Sequence, residues 1–123
     1  MTGEELKLKA ERMQAYLEAK PENQDEAVID RLENLQVLMA QSGELLAKAK
    51  YNLDCKKNDS ITLALKEAML QDWSVSVINK KIDALCREEN FIVNWLDRIN
   101  SSAVHQVDAL RSILSYRKAQ MQI

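Results

Sequence analysis

The sequence predicts an all-α protein, a bundle of three to four helices in which two long antiparallel helices pack in a coiled-coil-like way. Three observations carry this. Two Gly and one Pro in 123 residues leave few places for the tight turns of barrels, sandwiches or glycine-rich phosphate-binding folds. Aromatic residues make up only 5% of the chain, so the core must come from Leu, Ile, Val, Ala and Met, as in helix seams. Those residues recur in alternating steps of three and four along most of the sequence. With 46% apolar and 29% charged residues, the chain reads as a single helical domain over 1–123. A rod of long helices buries less surface than a compact domain and recovers the deficit by oligomerising, which predicts a homo-oligomer, a dimer in the first instance.

The first helix is expected over 1–20. Thr2 and Glu5 have capping-box spacing, and Leu6, Ala10, Met13 and Leu17 follow at helical intervals. Pro21 ends it, since proline lacks the donor of a continuing helix and restricts the residue before it. A long second helix is expected over 23–57, with Asn23 as its cap and Glu26 three residues on. Its seam is Val28, Leu32, Leu35, Met39, Ser42, Leu46, Ala49 and Leu53, with a soft spot at Ser42-Gly43 where close approach by a neighbouring helix would favour the glycine. The run Lys57-Asn58-Asp59-Ser60 is expected to close this helix and cap the next.

From Ile61 onward the seam is Ile61, Ala64, Ala68, Gln71, Val75, Ile78, Ile82, Leu85, Glu89, Ile92, Leu96, Ile99, Ala103, Gln106, Leu110 and Ile113. A second long helix over 60–120 follows. The mixture of β-branched residues and serines in Asp72-Trp73-Ser74-Val75-Ser76-Val77 predicts a break near 73–76, and Asn100-Ser101-Ser102 is the second candidate. Leu38, Leu45, Leu63, Met69, Cys86, Val93, Val107 and Leu114 widen the apolar stripe beyond a two-residue seam, and stripes that wide contact more than one helix.

Charge is balanced overall at −2 but unevenly spread. Residues 1–44 carry net −5, while Lys48, Lys50, Lys56 and Lys57 against Asp54 give 45–57 net +3, and Arg111, Arg117 and Lys118 give the last fifteen residues +3. Such asymmetry sets how antiparallel helices or subunits pair; the alternative is a basic surface for the phosphates of a nucleic acid. Cys55 and Cys86, without CxxC spacing or histidine neighbours, indicate neither a metal site nor a disulfide framework. No signal-peptide pattern is present, and the longest charge-free stretch, Asn34 to Gly43, is too short for a membrane span, so a cytoplasmic protein is expected.

No catalytic constellation stands out. His105 is the only histidine, which removes the Glu-x-x-His pairs of di-metal bundles and the His-Glu-x-x-His of zinc hydrolases. His105 and Asp108 share a helix face, but at outward positions. Adjacent Glu88 and Glu89 diverge by about 100° on a helix, so paired-carboxylate chemistry does not follow. Cys55 lies toward a helix C-terminal end, where the dipole disfavours a thiolate. Gln71, Glu89 and Gln106, polar in an apolar seam, read as register and partner selection. Phe91 and Trp95, four residues apart, share a face and form a candidate interface.

The stretch Leu96-Asp97-Arg98-Ile99-Asn100, followed by His105-Gln106-Val107-Asp108-Ala109-Leu110-Arg111-Ser112-Ile113-Leu114-Ser115-Tyr116-Arg117-Lys118, resembles the helical end of small uncharacterised proteins from phage and prophage gene clusters. The likeness covers under a fifth of the chain and implies an accessory phage protein, with no catalytic residue to transfer. Taken together, the sequence predicts a non-catalytic, self-associating helical interaction or structural protein with no cofactor and an unspecified protein partner. The alternative is a nucleic-acid accessory protein using the basic clusters at 48–57 and 111–118.

Overall fold

A computed structural model describes residues 1–121. Four helices follow one another: α1 (Gly3–Glu18), α2 (Asp25–Gln71), α3 (Val75–Leu85) and α4 (Arg87–Met121), with no strand among the described residues. The molecule is an all-α helical bundle built on a hairpin of α2 against α3 and α4. The cross-connections give its direction: Asp25 meets Arg117, Arg31 meets Gln106, Ser42 meets Asn100, Ser60 meets Cys86 and Glu67 meets Lys81, so one number falls as the other rises. Helix α1 lies on this hairpin antiparallel to α2, with Met1 at Asn52 and Leu17 at Arg31, and parallel to α4, with Lys7 at Glu88 and Leu17 at Gln106.

Local rules account for most helix ends. The Thr2 hydroxyl accepts from the Glu5 amide at 3.2 Å, and α1 stops at Glu18 ahead of Pro21. Helix α2 begins at Asp25, not at a capping Asn23. Its N-cap is Gln24, with no side-chain cap bond, because Asn23 and Asp25 both accept from the guanidinium of Arg117, at 2.8 and 2.6 Å. The acidic start of α2 thereby meets the basic end of α4, which is the antiparallel use of the charge asymmetry.

The expected boundary at 57–60 does not exist: α2 runs unbroken through Lys57-Asn58-Asp59-Ser60 to Gln71. The seam itself explains this. It steps from Leu53 by seven to Ser60, then to Ala64 and Ala68, all buried, whereas Ile61 is exposed. Asn58 and Asp59 face solvent, where their weak helix propensity costs only about 0.5 kcal/mol each. Residues 60–71 therefore belong to the first long helix, and the two long antiparallel helices are α2 and α4. The chain reverses at Asp72–Ser74: Asp72 caps α2 in the left-handed region, φ 55°, and the Ser74 hydroxyl caps α3. A lesser interruption falls at Cys86, where α3 passes into α4.

Asn100-Ser101-Ser102 makes no break. The Asn100 amide donates to the Met39 carbonyl at 3.0 Å and to the Ser42 hydroxyl at 2.9 Å, so across the interface it finds the partners it would otherwise seek in its own backbone. Gly43 is not a point of close approach either; a Cβ there would sit 4.0 Å from Asn100, an ordinary contact. The core is continuous from Leu6, Ala10 and Leu17 of α1 through Val28, Leu35, Leu38, Leu45 and Ala49 of α2 to Ile92, Leu96, Ile99, Ala103, Val107 and Leu110 of α4.

Candidate functional site

The sequence-derived candidates fall at three separate places. Lys48, Lys50, Lys56 and Lys57 lie on the middle of α2, and Arg111, Arg117 and Lys118 near the end of α4, beside the start of α2. Antiparallel pairing sets the two clusters some twenty residues of α2 apart, roughly 30 Å at 1.5 Å per residue. They do not merge into one basic surface. Lys48 reaches Glu44 at 3.0 Å, a contact that holds the Glu44 carboxyl below its ordinary value, and Arg117 is committed to Asp25 and Asn23.

Phe91 and Trp95 do share a face of α4. Their rings lie 5.6 Å apart at 48°, beside a surface hollow lined with Asn94, Asp97 and Arg98. Trp95 packs against the core, while Phe91 is 53% exposed. His105 and Asp108 are exposed on α4. Cys86 is buried, its thiol 3.7 Å from the Ser60 hydroxyl, and Cys55 is exposed. Glu88 pairs with Lys7, whereas Glu89 turns inward with one carboxylate oxygen buried and without a hydrogen-bond partner.

Of the three polar seam residues, Gln106 joins helices. Its amide donates to the Leu17 carbonyl at 2.9 Å, one of the orphan carbonyls at the end of α1, and its oxygen accepts from Arg31 at 2.9 Å. Arg31, buried among apolar neighbours, also reaches the Leu17 carbonyl at 3.4 Å and lies 4.1 Å over the Tyr16 ring. This knot ties α1, α2 and α4 in one register. Gln71 is exposed and accepts from the Trp73 indole at 3.2 Å across the turn.

The densest run of exposed apolar side chains lies elsewhere, on the tip formed by the last turns of α2 and by α3. Met69 and Leu70 are each 87% exposed and Val75 73%, with Ile61, Leu63, Leu65 and Val77 between 42% and 49%. No residue of α3 is buried. The sequence signalled part of this, since Leu63 and Met69 widen the stripe; it hid Leu65, Leu70 and Val77, which lie off the seam and need the reversal at Asp72 to be brought together. The body shows what covers such a stripe. Leu45, beside Met13 of α1, is buried, while Leu63, eighteen residues or five full turns further along the same face of α2, lies past the end of α1 and stays half exposed. No family model, curated protein or solved structure matches the chain.

Among the described residues, no group of three or more His, Cys, Asp or Glu side chains is placed to hold a metal ion, and no helix is long and apolar enough to cross a membrane.

Proposed function

We propose that the protein is a non-catalytic helical interaction module that self-associates, with the exposed apolar tip as its working surface and the three-helix body as the support that presents it. The observation that carries this reading is the tip itself: seven large apolar residues within Ile61–Val77 stand 42% exposed or more. Contiguous apolar surface above a few hundred Å² on a small protein marks an interaction site. Polar side chains in the body are used in structure, as Arg31, Asn100 and Gln106 show. A cytoplasmic accessory role, of the kind the C-terminal phage resemblance implies, fits a module of this sort.

The test is absolute mass by light scattering across a concentration series, with and without added single- and double-stranded DNA. The expected result is a species of twice the 14.1 kDa chain mass, unchanged by DNA. A chain that stays monomeric at every concentration defeats the self-association reading. A mass that grows only on adding DNA, and shrinks again between 50 and 200 mM salt, would replace it with nucleic-acid binding through the two lysine and arginine clusters.

A further inference from the structure

The tip has two flanks, and they differ. On one, Glu67 of α2 and Lys81 of α3 pair at 3.9 Å, with Leu63, Leu70 and Val77 around them; this flank prolongs the seat that α1 occupies in the body. The opposite flank of α2 carries Ile61, Leu65 and Met69 at successive steps of four, a stripe turning by only 40° per step, and α3 opens just past the turn with Val75, 73% exposed. No charged residue stands within that stripe; exposed Lys66 borders it beside Leu65 and Met69. At its two ends stand opposite charges, Lys57 two turns before Leu65 and Asp72 two turns after, both exposed and neither in an ion pair among the described residues.

We infer that the Ile61–Leu65–Met69–Val75 flank is a homodimer interface, in which two copies of α2 cross antiparallel about a two-fold axis at Leu65. This deepens the self-association reading above and rests on it. Charge and area argue for a second copy as the occupant. Lys57 lies eight residues before Leu65 and Asp72 seven after, so an antiparallel arrangement centred on Leu65 sets Lys57 against the partner's Asp72, and by symmetry does so twice. A surface whose opposite charges lie within one residue of equal distance from its centre is complementary to itself at both ends. The four side chains expose on the order of 450 Å² of apolar area, and with their polar border of Lys57, Asn58, Thr62, Lys66 and Asp72 the flank approaches the ~600–800 Å² per partner of a small specific interface. Ile61 then meets the partner's Met69 across the axis, and Leu65 meets itself. The opposite flank does not have this symmetry, because its centre is the Glu67–Lys81 pair.

The experiment compares four variants with the wild-type chain by light scattering and sedimentation, with far-UV circular dichroism confirming that each is folded. Leu65→Lys combined with Met69→Lys should raise the dimer dissociation constant at least tenfold, while Leu63→Lys combined with Leu70→Lys on the opposite flank should leave it within about twofold. Lys57→Asp alone should weaken the dimer by about threefold, and Lys57→Asp with Asp72→Lys should restore it. An independent readout uses the axis: in a Cys55→Ser background, Leu65→Cys should form a disulfide-linked dimer with oxidised glutathione, since a residue on the axis faces its own copy. A wild-type chain that remains monomeric overturns this inference together with the self-association reading. A dimer that survives the Leu65/Met69 change and is lost with Leu63/Leu70 overturns the flank assignment alone.

Discussion

Below Ser60, α2 faces its neighbours with Val28, Leu35, Leu38, Leu45, Ala49 and Leu53; from Ser60 onward the buried residues of the same helix are Ser60, Ala64 and Ala68. The opposing side changes in step. Helix α4 buries Ile92, Leu96, Ile99, Val107 and Leu110, whereas α3 buries nothing. One helix thus belongs to two structures of different quality: a body in which three helices enclose large side chains, and a tip in which α2 buries only small ones and Ile78, Ile82 and Leu85 of α3 stay half-buried. Burying a Leu or Ile contributes about 1.5–3 kcal/mol and an Ala methyl about 0.8 kcal/mol, so the same number of turns yields far less cohesion in the tip. What the tip withholds from its own interior it leaves on its surface. Apolar residues continue along the whole of α2, and the third helix decides whether they become core or remain exposed surface.

Amide exchange tests the difference between body and tip most directly. At micromolar or lower concentration, amides of α3 and the last three turns of α2 should exchange about a thousandfold faster than those of residues 92–107, because they open locally without global unfolding. Uniform protection along α2 would mean that body and tip are one cooperative unit. Core truncation gives the next largest effect. Leu96→Ala, at a fully buried position of the body, should cost about 3–4 kcal/mol in urea denaturation, while Leu70→Ala in the tip should stay within about 0.5 kcal/mol.

Arg31→Ala should cost about 2–3 kcal/mol, since it removes a charged donor from Gln106 and Leu17 and uncovers the Tyr16 ring. If the change is neutral, the three-helix knot does not hold the body together. The smallest effect has the opposite sign. Gly43 sits in the interior of α2 with ordinary contact distance around the missing Cβ, so Gly43→Ala should raise stability by about 0.5–1 kcal/mol, read as a higher melting temperature.

The spacing of apolar residues was enough to read the helical class, the seams of α1 and α4, and the reversal near Trp73. Reading failed where the seam position is polar. Ser60 continues the seven-residue step from Leu53, but a serine after Asn58 and Asp59 looks like a cap until Cys86 is seen to cover it. Arg31 was hidden for the same reason: a charge at a core position is recognisable only when its partners, 14 and 75 residues away, are known. Lys57 was visible as a cation, yet that it shares one helix with Leu65 and Asp72 depends on α2 being unbroken, which the sequence argued against. The basic clusters were legible as residues and misleading as a surface, because antiparallel pairing carries 48–57 and 111–118 apart.

The weak tip also governs how the chain comes together. Helices α2 and α4 are joined only through the turn at Asp72–Ser74 and the eleven residues of α3, so zipping outward from that turn would be the route with the smallest loops to close. An eleven-residue helix is marginal on its own, and this one gains no buried side chain from its neighbour, so the shortest route begins with the least rewarding contacts. The first contacts that repay closure are those of the body, such as Ser42 with Asn100 across 58 residues. Folding should therefore nucleate at long sequence separation and add the tip last, which slows it relative to other helical bundles. Stopped-flow chevrons separate the two orders: Ile99→Val should slow refolding, whereas Ala64→Gly should leave refolding unchanged and appear in the unfolding limb alone.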